Sequence, residues 1–271
     1  MAGCIDLQLE QAVAYVTLSA PQRMNAMSRQ MWRELAQVFC QLQRDPKLRC
    51  VVLRGEGGHF CAGGDISEYA DFRFEVTSLQ AFHEEDVWGG LQAILDCDVP
   101  TVAQIAGNCM GAGVEIACCC DLRVSAVGSR FGAPIGRLGF PMAPKEAALV
   151  LRELGPSIVR QMLLGAMVFE AETLRQQGFL HAVVTEDSLT LEVDRLVHRV
   201  LKLAPQAARM NKRQLRALQP LSLADAAEDA AGLAQAYAYA SSAEHREGVM
   251  AFINKRDPAF QMDAATSPKN Q

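Results

Sequence analysis

Gly111-Ala112-Gly113-Val114-Glu115, set between two apolar runs, decides how this chain is read. Small residues that open a helix leave backbone N–H groups unpaired and able to hold a negative oxygen. Glu115 follows Ala112 about one helical turn on. Upstream, Cys61-Ala62-Gly63-Gly64-Asp65 follows an apolar strand and offers a matching N–H from the opposite side. Two such donors facing one another make an oxyanion hole, and a neighbouring carboxylate makes a base.

Outward from this centre the chain alternates. Asp6–Ser19 alternates in hydropathy and reads as paired strands, with Ala20-Pro21-Gln22-Arg23 as a turn. Met31, Leu35, Val38, Phe39 and Leu42 recur at helical spacing behind Ser28, a suitable cap. Short buried strands are expected at Cys50–Leu53, Thr101–Ile105 and Asp121–Ala126, with a helix over Glu84–Leu95 and an edge or loop at Arg130–Pro134. Such alternation predicts a layered α/β core with crossover helices. Beyond about Pro144 strand signals nearly vanish. Helices are expected over Lys145–Leu154, Pro156–Leu164, Ala171–Gln177, Leu189–Leu203, Pro205–Leu218, Leu223–Ser241 and Ala243–Lys255. The tail 263–271 is expected to be disordered.

The 271 residues are half hydrophobic and 21% charged, with a net charge of -5, a soluble globular composition. Mild acidity gives no reason to expect nucleic acid. No apolar run approaches bilayer-spanning length. Met1–Glu10 lacks the basic-then-apolar pattern of a secretory signal. The nine cysteines, with Cys118, Cys119 and Cys120 adjacent, are unlike a disulfide framework, and no histidines flank them at metal-ligand spacing. They are expected as small buried side chains in a reducing cytosol, which places the protein in the cytoplasm and leaves it without a metal.

The landmarks, in order and spacing, resemble the crotonase family, also called the enoyl-CoA hydratase/isomerase family. The similarity runs from Pro21-Gln22-Arg23-Met24-Asn25-Ala26-Met27 through Phe60–Ile66, Ala106–Glu115 and Cys120-Asp121-Leu122-Arg123 to Glu244–Phe252. The resemblance implies an α/β fold: a crotonase-like spiral of ββα units over 1–200 with a helical C-terminal trimerisation region over 201–262. It also implies homotrimers, or dimers of trimers, that bind acyl-CoA thioesters, with coenzyme A as part of the substrate and no separate cofactor. Carried over position by position, Gly64 and Ala112 donate the two N–H groups and Glu115 is the acid/base. Arg23, Ala26, Ala62, Asp65 and Ile66 fall, with Gly64 and Ala112, where the family contacts substrate and CoA. Read from the residues alone, Gly64 is as well an ordinary turn and Arg23 a solvated arginine. Phe252 and Lys255, which in relatives reach a neighbouring subunit's ligand, serve equally for trimer packing and a solvated helix end.

The chain departs from the family at one place that matters. Hydratases of the family carry a second glutamate just after the proline of Phe131-Gly132-Ala133-Pro134, and Ile135 stands there. Hydration needs a base to activate water and an acid to protonate the α-carbon. A single carboxylate suits a proton shuttle, although family isomerases with one glutamate usually keep the second one. Glu84, Glu85 and Asp86 are candidate replacements at an expected helix start, where the macrodipole also explains carboxylates. Glu68 is weaker, Glu146 is expected on a solvated helix face, and His83 is expected to be structural or at the surface. Three readings follow: hydratase- or isomerase-type proton transfer through Glu115; decarboxylation of a malonyl-type thioester, against which the apolar Phe140 counts; and an acyl-CoA-binding protein with little catalysis.

Overall fold

The alternation at the N-terminus forms the expected hairpin: β1 (Cys4–Glu10) pairs antiparallel with β2 (Val13–Ser19), placing Leu7 opposite Val16. The computed structural model describes residues 3–219, 232 and 235–260. Helix α1 (Arg29–Gln43) starts where Ser28 Oγ accepts from the Met31 N–H at 3.2 Å, and it buries Met31, Leu35, Phe39 and Leu42. β3 (Cys50–Gly55) then runs parallel to β2, and its first four residues are buried.

Helix α2 (Val76–Ala81) passes through a π turn at Phe82–Val87 into α3 (Trp88–Asp96). Glu84 and Glu85 therefore lie inside a helical run and not at its start, contrary to the sequence expectation. The wider π turn buries Phe82, His83, Asp86 and Val87 together.

From here each turn of the chain gives one strand to each of two sheets. β4 (Thr101–Ile105), β6 (Leu122–Ala126) and β9 (Ala182–Val184) extend the large sheet in the order β1-β2-β3-β4-β6-β9, all parallel after the hairpin. β5 (Asn108–Met110), β7 (Arg130–Gly132) and β8 (Val168–Glu170) form the small sheet, so Arg130–Gly132 is a paired strand. Between them run α4 (Ala112–Cys119), α5 (Pro144–Leu164) and α6 (Ala171–Gln176). This is the expected ββα spiral. The short strands β8 and β9 fall where strand signals had faded, because three-residue strands carry no readable period. Helix α5 bends at Gly155, whose φ is 75°, which matches two expected segments split there.

Helices α7 (Glu186–Leu201), α8 (Pro205–Leu218) and α9 (Ala243–Ile253) supply the helical last third. Most of the helix expected over Leu223–Ser241 and the tail 263–271 lie outside the described residues; Ala238–Ser241 is a 3-10 turn. All nine cysteines are free. Seven are buried as expected, whereas Cys4 and Cys40 are exposed, one on the edge strand and one on α1. No described helix is long and apolar enough to cross a membrane.

Candidate active site

The two glycine-rich loops are fastened to each other by main chain. The Cys61 N–H donates to Asn108 O at 2.9 Å and the Met110 N–H to Cys61 O at 2.8 Å. On the other side the Met27 N–H reaches Gly63 O and the Asp65 N–H reaches Met27 O, both at 2.8 Å. This zipping consumes the amides on either side of Gly64 and leaves its own N–H without an acceptor among the described residues. Gly111, at φ 47°, turns the chain into α4, so Ala112 is the first helical residue and its N–H is likewise unpaired. Gly113 has a separate reason: a Cβ there would stand 2.7 Å from Cys61 O, so only glycine lets α4 start against the first loop. The Gly64 and Ala112 N–H groups are thus held by a shared backbone frame.

The positions expected to contact CoA gather on the same loop system. The Ala62 N–H donates to Met24 O at 2.9 Å and the Ala26 N–H to Arg23 O at 3.1 Å. Arg23 is exposed yet tethered, pairing with the buried Asp65 and donating to Ser67 Oγ at 3.1 Å. Asp65 also caps the 3-10 helix Ile66–Asp71 through the Ser67 N–H. Phe252, near the end of α9, and Lys255, just beyond it, are exposed.

Glu115 is the one residue of α4 that is not fully buried. Its carboxyl is pushed up to about 8, first by loss of solvent, then by the charge of Glu146, with Arg73 pulling the other way. Glu146 lies on α5, which packs against α4, and is only 3% exposed, not on the solvated face expected of it. Burial raises its carboxyl too, with Glu84 adding to the effect and Arg73 and Lys145 opposing it. Its Oε1 is 2.9 Å from His83 Nδ1. His83 is accordingly buried, not superficial, and burial with the nearby Arg73 cation holds its imidazole well below the usual range, in the neutral form. Its Nε2 has no partner among the described residues. Glu146 and the neutral His83 imidazole are thus in contact, and the Glu146 charge bears on Glu115 across the packed helices, so that a proton on either acid makes the other easier to ionise.

The remaining candidates are otherwise engaged. Glu84 pairs with Lys145 and accepts from Tyr237 Oη at 2.8 Å, Glu85 is exposed, and Glu68 accepts from the Arg29 N–H at 3.0 Å. Tyr69 connects the two halves of the site: its hydroxyl sits where a Cβ on Gly64 would go, 2.0 Å from that position, and the charge of Glu115 bears on its phenol. Sequence reasoning missed Glu146, His83 and Arg73. For Glu146 a signal existed, since it stands three and four residues before Leu149 and Val150, on the buried face of α5. For Arg73, in a loop without period, there was none.

Comparison with known proteins agrees with this fold. The family model for enoyl-CoA hydratase/isomerase matches residues 8–263. A putative enoyl-CoA hydratase from Thermus thermophilus is 31% identical over 252 residues, 92% of this chain and 97% of its own length. The crystal structure of an enoyl-CoA hydratase/carnithine racemase from Magnetospirillum magneticum superposes with a TM-score of 0.77 at 34% identity, covering 95% of each chain. A methylmalonyl-CoA decarboxylase in complex with 2-nitronate-propionyl-CoA superposes with a TM-score of 0.84 at 25% identity, covering 95% of this chain and 98% of its own.

Proposed function

Because this chain belongs to the enoyl-CoA hydratase/isomerase family, whose activity is on CoA thioesters, we propose that it hydrates 2-enoyl-CoA thioesters using Glu115 and Glu146 together. The observation that carries this reading is the pair itself: Glu115 and the buried Glu146 stand on the packed helices α4 and α5, with the Glu146 charge bearing on Glu115, and Glu115 lies one turn after the unpaired Ala112 N–H. Ile135 leaves the family position for a second acid empty of chemistry, and Glu146 brings a carboxyl to the pocket from the following helix.

The steps follow from the groups present. The thioester oxygen accepts from the Gly64 and Ala112 N–H groups, which hold it more strongly as it becomes enolate-like. One carboxylate takes a proton from water as its oxygen adds to the β-carbon. The other acid gives its proton to the α-carbon, and the pair leaves with one proton exchanged between its members. Neutral His83 fixes the Glu146 carboxyl, and its tautomer follows that carboxyl's proton. The same groups can move a proton between the α- and γ-carbons, which is double-bond isomerisation. The exposed apolar residues of α8 (Met210, Leu215 and Leu218), together with Phe252 on α9, serve as contacts of the trimer in this reading.

Decarboxylation of a malonyl-type thioester is the second reading, favoured by the TM-score of 0.84 to methylmalonyl-CoA decarboxylase. The test is to incubate the purified protein with crotonyl-CoA, a 3-enoyl-CoA and methylmalonyl-CoA, following enoyl absorbance and products. Loss of the enoyl chromophore that disappears in both Glu115→Gln and Glu146→Gln supports hydration. Turnover of methylmalonyl-CoA alone assigns decarboxylation, and binding without turnover of any thioester assigns a binding protein.

A further inference from the structure

Two arginines are buried among the described residues, and they are treated differently. Arg123 is held by main chain and a carboxylate: Nε donates to Phe179 O at 2.7 Å, Nη1 to Cys120 O at 2.7 Å and Ala117 O at 3.3 Å, and Glu153 stands 3.4 Å away. That is how a structural arginine is engaged, through several donors and an ion pair. Arg73 is 1% exposed, and among the described residues its guanidinium meets phenol oxygens only, with Nη2 donating to Tyr239 Oη at 3.4 Å and Tyr69 within its hydrogen-bonding influence. Its Nε is buried without a partner among the described residues, and no described carboxylate lies within ion-pair distance. The rest of its surface rests on aromatic faces, 4.1 Å from the Phe140 centroid and 4.3 Å from that of Tyr69.

Cation–π contact offsets only part of the cost of burying a cation. The resident acids do not supply the rest, because burial biases Glu115 and Glu146 toward their protonated forms despite Arg73. The position is also specific. A single tyrosine ring separates the guanidinium from the oxyanion donor: Arg73 stacks on Tyr69, whose hydroxyl abuts Gly64. A planar guanidinium fork with unused donors, set one tyrosine ring beyond the Gly64 N–H, matches a carboxylate.

We propose that Arg73 receives a carboxylate at the far end of the acyl group, so that the substrate is a short acyl-CoA bearing a distal carboxylate. This rests on the acyl-CoA reading above. It accounts for a buried cation that makes no structural contact comparable to those of Arg123, and it sets which thioester the two acids act upon.

The test is calorimetric titration of the full chain with saturated, unreactive thioesters in matched pairs: succinyl- with butyryl-CoA, glutaryl- with pentanoyl-CoA, adipyl- with hexanoyl-CoA. In the unsubstituted protein at least one carboxylate-bearing member is expected to bind about tenfold or more tightly than its methyl-ended match. In Arg73→Met that ratio is expected to fall to about one, while the methyl-ended thioesters keep their affinity. Arg73→Lys, which keeps charge but not the fork, is expected to fall between. A merely structural arginine would weaken both members of each pair equally and leave the ratio alone. Methyl-ended thioesters that bind as well as their partners in the unsubstituted protein overturn the carboxylate subsite and leave the acyl-CoA reading intact. Failure of both series to bind overturns the acyl-CoA reading itself. If Arg73→Met does not fold, the ratio in the unsubstituted protein and its change in Arg73→Lys decide the matter.

Discussion

The proposed oxyanion half of the site, at Gly64 and Ala112, is made of main chain, whereas the proposed acid half, at Glu115, Glu146, His83 and Arg73, is made of side chains from four separate segments. The first half costs little to maintain. Its donors are left over by ordinary pairing, from a loop zipped on both sides and from the start of a helix. They carry no titratable charge, so pH does not reach them. The second half is held against its own electrostatics: two carboxyls pushed toward protonation, a histidine kept neutral and a cation lacking a carboxylate. The contrast teaches that positioning is built from backbone, while reactivity and choice of substrate are built from strained burial.

The comparison can be broken most forcefully on the acid side. Glu115→Gln and Glu146→Gln are each expected to lower kcat for enoyl-CoA hydration by about 10²–10⁴, the usual worth of general acid–base catalysis. Measured together in the double variant, the losses should not multiply, because the pair works as a unit. If Glu146→Gln retains full activity, Glu115 acts alone. On the backbone side, Ala112→Pro removes one donor at the first helical position, where proline is well accommodated. It is expected to cost about 10²–10³ in kcat with little change in melting temperature. Full activity in that variant would overturn the oxyanion assignment.

A pH experiment separates the halves directly. Glu115 and Glu146 have folded-state pKa values raised above the unfolded value of 4.5, each to about 8. The stability they confer is therefore present below about pH 4.5 and is lost as pH rises through about 8. A neutral glutamine in either place escapes that loss. The melting temperature of Glu146→Gln relative to the unsubstituted protein is expected to be about 2–4 °C more favourable at pH 8.5 than at pH 5, whereas Ala112→Pro should show no such trend. In Glu146→Gln the pKa of Glu115, read by titration of its carboxyl carbon, should also fall, since the Glu146 charge is one of its raising influences. The smallest effect is expected at Ile135, half-buried against the main core. With Glu146 present, Ile135→Glu should change hydration by less than about threefold and mainly lower stability, through another desolvated carboxyl. A large gain in rate would show that Glu146 is not the second acid.

Much of the backbone half could be read directly from the residues. Gly111, Gly113 and Gly64 stand where a turn or a close approach requires them, the Ser28 cap marks the start of α1, and the alternation of elements predicts the spiral. The acid half was read less well. Glu146 carries its helical spacing in the sequence, but spacing does not say whether a carboxylate among apolar neighbours is at the margin of a face or at its centre. His83 was obscured by the π turn, which shifts the period by one residue and turns a ring inward. Arg73 lies in a loop with no period at all.

The sequence by itself determined the ββα spiral and where the two glycine-rich loops and Glu115 lie in the chain, because each depends on local signals: apolar periodicity, glycine placement and the start of a helix. Tertiary structure alone decided that Glu146 faces the same pocket, that His83 holds it and that Arg73 is buried without a carboxylate. Those facts depend on which segments meet in space and on how much water their packing excludes. It is that exclusion, and not residue type, that sets the charge a carboxyl carries and the partner a guanidinium lacks.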